Sequence, residues 1–333
     1  MNKKIAVLGA GSWGSALANV LFENGHQVTL WTRDEKQRDE INTEHTNKHY
    51  LPDFTFPDNI IATNQLEEAL KEAEAVVFVI PTKAIRDVSR QVSSVLGHPI
   101  TVIHASKGLE ENSYKRISTI LSEELPSEYV KGIVALSGPS HAEEVIKRDL
   151  TTITAASENE EAAILTQELF INDYFRVYTN SDITGVEIGA ALKNIIALGA
   201  GVIAGLGYGD NAKAGLVTRG LAEISRLGVE LGADPLTFMG LSGVGDLIVT
   251  CTSSHSRNWR AGYQLGKGKD VETVLDEMGM VVEGISTTKA THELARLNNI
   301  DMPITEAIYS VVYNQLDVKD VILNLMQREG KSE

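Results

Sequence analysis

Residues 5–31 read IAVLGAGSWGSALANVLFENGHQVTLW and set the architecture of the first half of the chain. A short apolar run at residues 5–8 precedes the turn Gly9-Ala10-Gly11-Ser12-Trp13-Gly14, which is followed by a helical pattern over residues 13–24 and a second apolar run at residues 28–31. A GxGxxG turn that leaves a strand, opens a helix and is followed by a second strand is typical of a dinucleotide-binding βαβ unit. We therefore predict that this turn binds a nicotinamide or flavin dinucleotide.

The three glycines of the turn have separate expected roles. Gly9 permits the tight turn, Gly11 lets the backbone approach a pyrophosphate, and Gly14 allows the helix to pack closely on the strand. The start of the helix offers amide donors and a partial positive charge to the same pyrophosphate. An ordinary glycine-rich turn without a ligand is the alternative.

Further short apolar runs, rich in β-branched residues, continue the pattern at residues 75–80, 101–104 and 134–136. Continuous apolar runs suit strands that are buried on both faces of a parallel sheet. Helical patterns such as residues 66–73 separate the runs, and this alternation predicts a doubly wound sheet with right-handed crossovers. Two later runs, at residues 151–156 and 175–178, are expected to extend the sheet at its edge.

After about residue 180 helical patterns replace the short apolar runs. The predicted helices cover residues 185–205, 211–231, 258–265, 271–278, 286–297, 302–315 and 317–327. The predicted fold is thus an α/β N-terminal Rossmann-type doubly wound sheet plus an all-α C-terminal domain. We expect a dinucleotide-binding domain at residues 1–182 and a substrate-binding domain at residues 183–333.

The composition narrows the classes of function and the compartment. A net charge of −15 argues against a nucleic-acid partner and against docking on an anionic membrane. The single cysteine, Cys251, excludes an internal disulfide and favours the cytoplasm. The N-terminal apolar run is too short for a secretory signal, and no stretch approaches the roughly 20 apolar residues of a membrane span. Residues 195–206 are expected to form a buried helix, and no metal site is predicted.

The end of the second predicted strand, Trp31-Thr32-Arg33-Asp34, bears on the choice of dinucleotide. An NAD-specific site usually has Asp or Glu here for the ribose 2′-hydroxyl, whereas an arginine accommodates a 2′-phosphate. Because Arg33 occupies this position, we expect NADP(H) to be preferred and NAD(H) to be tolerated. A solvated loop arginine is the alternative.

Several motifs spread over both halves are together far more specific than the glycine-rich turn. They are Ala105-Ser106-Lys107-Gly108-Leu109, Leu136-Ser137-Gly138-Pro139-Ser140-His141-Ala142, Ala191-Leu192-Lys193-Asn194, Gly243-Val244-Gly245-Asp246-Leu247, Ser256-Arg257-Asn258 and Val282-Glu283-Gly284. With the turn, they resemble the motifs of bacterial NAD(P)-dependent glycerol-3-phosphate dehydrogenases. The resemblance implies reduction of dihydroxyacetone phosphate to sn-glycerol 3-phosphate, which supplies phospholipid biosynthesis, and it implies a homodimer.

Two lysines are candidates for the chemistry of ketone reduction. Lys193 lies within an otherwise apolar helical pattern, where burial or a nearby cation would lower the pKa of a lysine towards the operating pH. The resemblance assigns Lys193 the role of general acid and base; a lysine that extends from a core helix to water is the alternative. Lys107 directly follows a predicted strand, where ligands of open α/β sheets bind, and it is expected to polarise the carbonyl unless it is a plain loop lysine.

A second polar segment follows the next predicted strand. Gly138 is expected to bring the backbone close to the substrate, and Ser140 to hydrogen-bond it. His141 is a weaker candidate for the proton donor than Lys193, because the family that the chain resembles does not use it in this way.

Asp246 lies among glycines, where a carboxylate is expected to accept from a substrate hydroxyl and to orient Lys193. A helix N-cap aspartate is the alternative. Thr250, one helical turn later, is expected to face the same side and to bind substrate. The adjacent Cys251 is interpreted as a packed apolar residue rather than a nucleophile.

A phosphate clamp is expected where residues 254–258 precede a helical pattern. A helix start supplies free amides and a favourable dipole, and the planar fork of an arginine pairs with phosphate oxygens. By resemblance, Arg257 and Asn258 hold the substrate phosphate and Ser256 assists.

The resemblance also implies contacts that spacing alone does not support. It places Val281 and Glu283 near the nicotinamide and adds Asn194 to the substrate-binding residues. The other cofactor contacts that it implies come from Ser12, Trp13, Tyr50, Lys107, Ala142 and Arg257.

Two other functions stay open on the sequence. A dehydrogenase of another hydroxyacid or a sugar acid would share the architecture but would not need the clamp of Arg257 and Asn258. A non-catalytic dinucleotide sensor would keep the turn but has no need for Lys107, Lys193 and Asp246 together.

Overall fold

The computed structural model describes residues 2–279 and 281–330 and divides into two compact units. The α/β unit comprises the residues up to Lys107 together with Lys115–Val186. The helical unit comprises Gly108–Tyr114 together with the residues from Glu187 onward, and Leu109 and Tyr114 join its core. The predicted combination of a Rossmann-type sheet with an all-α second half is confirmed.

The α/β unit is built on an eight-stranded sheet in the order β10-β9-β8-β7-β6-β1-β2-β5, with β3 and β4 forming a separate hairpin. The strands are β1 (Lys4–Leu8), β2 (Gln27–Trp31), β3 (Thr46–Asn47), β4 (Leu51–Thr55), β5 (Ile61–Thr63), β6 (Ala75–Phe78), β7 (Ile100–His104), β8 (Val130–Ser137), β9 (Thr151–Ala156) and β10 (Phe175–Asn180). All seven predicted strands are present, and the two late runs extend one edge of the sheet as expected. The hairpin and β5 were not predicted.

The expectation of a wholly parallel sheet is wrong at one place, because β8 and β9 pair antiparallel. Residues 138–150, which connect these strands, contain only the four-residue helix Ala142–Val145. A parallel crossover usually needs a longer helical connection, so the short segment returns the chain in the opposite direction.

The helices follow the sheet and then fill the second half. They are α1 (Ser12–Glu23), α2 (Glu35–Glu44), α3 (Leu66–Leu70), α4 (Ile85–Val95), α5 (Ile117–Glu124), α6 (Ala142–Val145), α7 (Glu160–Phe170), α8 (Ile183–Leu206), α9 (Asp210–Glu230), α10 (Asp246–Thr252), α11 (Arg257–Gly266), α12 (Val271–Met278), α13 (Glu283–Leu297), α14 (Pro303–Val312) and α15 (Val318–Met326). Each helix predicted in the second half is confirmed. Helix α10 and the π-helical turn Leu241–Gly245 before it were not predicted, because glycines interrupt the apolar periodicity there.

Helix α8 is the central element of the helical unit. Its length and composition would suit a membrane span, but 89% of its apolar window is buried within the protein, as expected for a core helix. Helix α11 crosses it at glycines: a Cβ added at Gly262 would lie 1.9 Å from the carbonyl oxygen of Leu198, and one at Gly201 would lie 2.0 Å from that of Trp259. The backbones of the two helices are therefore in direct contact at these glycines. Side chains on the facing sides of α8 and α11 are brought close together as a result.

Glu223 on α9 anchors the first turn of α14. Its carboxylate is buried and accepts hydrogen bonds from the backbone amides of Ile304 (2.6 Å) and Thr305 (3.1 Å) and from the Thr305 hydroxyl (3.2 Å). Burial raises the pKa of Glu223 to about 7, although these hydrogen bonds act in the opposite direction. The start of α14 is thus held by a group that titrates near neutral pH.

We expect the stability that Glu223 contributes to fall as the pH rises. Because the pKa of this acid is higher in the folded protein than its ordinary value of 4.5, the folded state binds the proton more tightly than the unfolded state does. Between these two pKa values the free energy of unfolding should decrease by up to about 1.4 kcal/mol per pH unit. Glu223→Gln should remove this slope, and urea unfolding at a series of pH values measures it.

Glu230→Gln is the matched control, since Glu230 is exposed on the same helix. It should keep the wild-type slope. Identical pH dependence of Glu223→Gln and the wild type would contradict the prediction.

Candidate active site

The glycine-rich turn has the geometry that a pyrophosphate requires. Gly9 has a φ of +118°, and a Cβ added there would lie 2.3 Å from the carbonyl oxygen of Val79. A Cβ at Gly14 would lie 1.8 Å from the carbonyl oxygen of Gly9, so the helix start packs directly on the turn. By contrast, the space around a Cβ at Gly11, the N-cap of α1, is open for 4 Å. This open space beside a helix start fits a dinucleotide phosphate.

Side chains next to the glycine-rich turn contact the hairpin of β3 and β4. The Ser12 hydroxyl donates to the carbonyl oxygen of Tyr50 (2.9 Å), between strands β3 and β4. The Tyr50 ring is half-buried and meets the His49 ring edge to face, with their centroids 4.7 Å apart. Trp13 packs against the core of the α/β unit. The structure thus brings Ser12 and Tyr50 together at the turn.

The two charged residues after β2 differ in their surroundings, because Arg33 is exposed and Asp34 is engaged by the following helix. Asp34 is the N-cap of α2, and its carboxylate accepts from the amides of Lys36 (2.8 Å) and Gln37 (3.2 Å). The Arg33 side chain is exposed. Since the carboxylate is engaged by the helix, the group at this position that is available to a ribose substituent is cationic.

The other candidates of the α/β unit follow β7 and β8 and lie at the same carboxyl edge of the sheet as the glycine-rich turn. The carbonyl oxygen of Lys107 accepts from the Thr82 hydroxyl (3.2 Å). Gly138 has a φ of +151° and lies so close to β9 that an added Cβ would be 2.8 Å from the Cα of Ile153. The Ser140 hydroxyl donates to the carbonyl oxygen of Gly138 (2.9 Å).

His141 and Ala142 continue this segment. His141 is the N-cap residue of α6, and Ala142 is the first residue of that helix and is buried. The sheet edge therefore gathers the turn, Lys107, Gly138 and Ala142 within one unit.

A buried ion pair lies at the centre of the helical unit. The ammonium group of Lys193 on α8 donates to the Asp246 carboxylate and to the Thr250 hydroxyl (2.8 Å) on α10. The Lys193 side chain is 7% exposed and that of Asp246 is 1% exposed. The Thr250 hydroxyl donates in turn to the backbone carbonyl of Asp246 (2.6 Å). The structure thus brings the three predicted residues Lys193, Asp246 and Thr250 into contact, with Asp246 and Thr250 both facing the lysine from α10.

The local sequence explains how Asp246 reaches the lysine. Asp246 is the first residue of α10, with Gly245 as the N-cap, so its carboxylate is not the cap that the alternative interpretation proposed. Gly189, one turn before Lys193, lets the π-helical turn approach α8: a Cβ there would lie 2.7 Å from the carbonyl oxygen of Ser242. Cys251 is buried beside this pair, and burial raises the pKa of its thiol to about 12. A thiol so hard to ionise is a packing residue, as expected.

A chain of amide contacts extends from Asn194, the residue after Lys193, to α13. Asn194 accepts from the side-chain amide of Asn258 on α11 (2.9 Å), and the Asn258 oxygen accepts from the backbone amide of Gly284 (2.8 Å). The last contact holds the first turn of α13, where Glu283 is the first residue, and Val281 before it is partly exposed. The predicted Asn194 and Asn258 are therefore linked by buried hydrogen bonds to the backbone of Gly284, next to the predicted Glu283.

The start of α11 presents the candidate phosphate clamp. The Ser256 hydroxyl is the N-cap and accepts from the amide of Trp259 (3.2 Å). Arg257 is the first residue of the helix and its side chain is exposed. A cation at a helix start, next to amides without intrahelical partners, suits a bound anion.

Two polar side chains that contact the glycine-rich turn were not predicted from the sequence. Gln37 on α2 donates to the carbonyl oxygen of Ala10 (2.7 Å), and Asn47 on β3 donates to the same oxygen (2.8 Å). Neither residue lies in a motif or an apolar pattern. The only signal for Gln37 was its spacing of three residues from the capping residue Asp34.

Known families match almost the whole chain. Residues 4–163 match the model described as NAD-dependent glycerol-3-phosphate dehydrogenase N-terminus, and residues 182–323 match the corresponding C-terminus. The chain is 63% identical to the glycerol-3-phosphate dehydrogenase (NAD(P)+) of Lactiplantibacillus plantarum, over 100% of this chain and 99% of that protein. It is also 63% identical to the protein of the same name from Enterococcus faecalis, over 100% and 98%.

Solved structures agree with these matches. The crystal structure of a glycerol-3-phosphate dehydrogenase from Coxiella burnetii is similar with a TM-score of 0.94 and 35% identity, over 98% of this chain and 99% of that chain. Both halves of the chain therefore share the fold of that enzyme.

We expect removal of either partner of the buried pair alone to destabilise the helical unit strongly. Lys193→Met or Asp246→Leu leaves one buried charge without its partner and should lower the free energy of unfolding by about 3–5 kcal/mol. The double variant removes both charges and should recover most of that loss. Chemical denaturation of the three variants measures both effects.

The matched control is the pair of Lys213 and Asp210 on α9, where the Asp210 side chain is 99% exposed. Removing either partner there should change stability little. A double variant of the buried pair that is less stable than both single variants would contradict the expectation.

Proposed function

The chain belongs to the NAD-dependent glycerol-3-phosphate dehydrogenase family, and from this premise we propose that it reduces dihydroxyacetone phosphate to sn-glycerol 3-phosphate with Lys193 as the proton donor. It is an NAD(P)-dependent oxidoreductase. The observation that carries the proposal is the buried Lys193 ammonium held by Asp246 and Thr250. The product is the backbone of phospholipids, so the reaction serves lipid metabolism.

The α/β unit is proposed to hold the dinucleotide, and residues 1–182 are its binding domain. The open space at Gly11 and the start of α1 would receive the pyrophosphate, flanked by Gly9, Ser12 and Gly14. Arg33 would pair with a 2′-phosphate, which supports a preference for NADP(H) with NAD(H) still accepted. The further cofactor contacts that we propose come from Trp13, Tyr50, Lys107, Ala142, Arg257, Val281 and Glu283.

The chain's own contribution to the chemistry is the proton and the position of the ketone. When bound, the reduced nicotinamide supplies the hydride for the ketone carbon. The Lys193 ammonium donates a proton to the carbonyl oxygen as negative charge develops there, and Lys107 stabilises the same charge. The Asp246 carboxylate accepts from the Lys193 ammonium and keeps that nitrogen in place, and the reverse reaction uses the same atoms in the opposite order.

We propose that residues 183–333, which include most of the helical unit, form the substrate-binding domain. Arg257 would pair with the phosphate through its guanidinium, assisted by Ser256 and by the second amide hydrogen of Asn258. Gly138, Ser140, Asn194 and Thr250 complete the proposed substrate contacts. We further propose a cytoplasmic homodimer, as the family resemblance implies.

A direct assay tests the activity. Oxidation of NADPH and of NADH is followed spectrophotometrically with dihydroxyacetone phosphate and, in parallel, with unphosphorylated dihydroxyacetone. Fast turnover of the phosphate ester and near inertness of the free triose would support both the reaction and the clamp. Equal turnover of the two ketones would exclude a phosphate clamp.

Lys193→Ala should lower kcat by about 10²–10⁴-fold, the usual contribution of general acid catalysis, while binding of NADPH is nearly unchanged. The physical reason is that the alanine side chain carries no acidic proton, so the ammonium held by Asp246 and Thr250 is lost. Lys213→Ala, on the exposed face of α9, should keep wild-type kcat. Turnover of Lys193→Ala within a few-fold of the wild type would rule out Lys193 as the donor.

Arg257→Ala should raise the KM for dihydroxyacetone phosphate by about 10–100-fold, because a charge-assisted hydrogen bond contributes about 1.5–3 kcal/mol. Steady-state kinetics measure it. Arg260→Ala, one turn later and also exposed on α11, is the matched control and should leave KM unchanged. Equal values of KM for the two variants would argue against the clamp.

A further inference from the structure

The amide side chain of Gln37 connects two parts of the cofactor-binding region. Its nitrogen donates to the carbonyl oxygen of Ala10 in the glycine-rich turn (2.7 Å) and to the side-chain oxygen of Asn47 (3.1 Å). Its oxygen accepts from the hydroxyl of Thr32 (2.5 Å), the residue immediately before Arg33. One side chain thus bridges the turn and the end of β2.

The backbone on both sides of Arg33 is held by this and neighbouring contacts. The Thr32 amide donates to Thr63 (3.0 Å), and its carbonyl oxygen accepts from the Asn64 side chain (2.7 Å). The Thr32 hydroxyl also accepts from the amide of Asp34 (3.2 Å). Arg33 is therefore an exposed side chain on a piece of backbone that is held on both sides.

The Ala10 end of the bridge is equally well defined. Asn47 is 1% exposed and donates both to Ala10 (2.8 Å) and to the Ser15 hydroxyl on α1 (3.0 Å). The Ala10 carbonyl oxygen therefore accepts from two side chains, of which only Gln37 also contacts the segment that carries Arg33.

We propose that Gln37 is a positioning residue that sets the discrimination between NADPH and NADH, by holding Arg33 at a fixed separation from the glycine-rich turn. The inference rests on the proposed pairing of Arg33 with the 2′-phosphate. The two cofactors share the pyrophosphate and differ only in the 2′ substituent, so both need the turn and only NADPH needs Arg33. A guanidinium–phosphate pair depends on geometry, and loss of preorganisation weakens it.

Three variants separate this role from general support of the fold. Gln37→Met keeps the length of the side chain and removes its hydrogen bonds. Asn47→Ala removes its own bond to Ala10 and its bond to the Gln37 nitrogen, but it leaves the bonds of Gln37 to Ala10 and to Thr32, which form the bridge. Asn42→Ala is the matched control: Asn42 lies on the same helix and makes two hydrogen bonds with the backbone of Ala62 (both 2.8 Å), away from the turn.

Dissociation constants for NADPH and NADH, measured by fluorescence titration of each variant, test the proposal, with thermal unfolding as the check on folding. Gln37→Met should weaken NADPH by about tenfold and NADH by about threefold or less, since the three part-buried hydrogen bonds of its side chain are lost, including the two that connect Thr32 to the turn. Asn47→Ala should weaken both cofactors by the same factor, and Asn42→Ala should change neither. Equal factors for the two cofactors in Gln37→Met would overturn the proposal.

Arg33→Ala and the double variant with Gln37→Met distinguish this proposal from the proposed function. If Gln37 acts through Arg33, the two losses of NADPH affinity are not additive, and the double variant resembles Arg33→Ala. Additive losses would overturn the proposal while a selective loss in Arg33→Ala leaves the role of Arg33 standing. An Arg33→Ala variant that weakens both cofactors equally would remove the premise and the proposal together.

Discussion

A lysine ammonium buried among apolar helices is the constraint around which the helical unit is arranged. An isolated charge at such a depth would cost more than the surrounding packing could offset, so the carboxylate of Asp246 must lie within contact distance. That requirement explains the glycine at position 189, the π-helical turn that packs on it, and the start of α10 at Asp246. The neighbouring Asn194 then extends the same region to α11 and α13 through Asn258.

Because the net charge of the chain is negative, binding of anionic ligands depends on the few positive residues of the proposed site. Dihydroxyacetone phosphate and the dinucleotide are both anions, whereas the chain carries a net charge of −15. At physiological ionic strength charges are screened beyond about 8 Å, so distant acidic side chains repel these ligands only weakly. Local cations at Arg33, Lys107 and Arg257 can therefore dominate the field at the proposed binding positions without making the protein basic.

Sequence patterns predicted those elements whose burial is uniform along the element. Strands β6 and β7 are buried along their whole length and β1 is buried after Lys4, and all three are dominated by apolar residues, while the long helices of the second half keep their periodicity. The hairpin of β3 and β4 was missed because its residues are mostly polar or exposed, so neither alternation nor a continuous apolar run marks it. Helix α10 was missed because the glycines before it conceal its start.

The residues of the candidate site also differ in whether a sequence pattern identified them. Lys193 was identifiable because a lysine in an apolar helix is unusual, and its contact with Asp246 followed from the family motifs. Gln37 was not, because it lies on a polar helix and its importance arises only from hydrogen bonds to residues distant in sequence. Tertiary hydrogen bonds of polar side chains leave no periodic trace, so only the folded structure reveals them.

The backbone contact between α8 and α11 has a consequence for motion. Helices whose side chains interdigitate can slide by changing rotamers, but two helices that meet at glycines have no such side chains to rearrange. We therefore expect the two helix backbones to keep their spacing where Gly201 and Gly262 meet the partner helix. A displacement of α8 would then carry α11, which begins at Arg257, along with it.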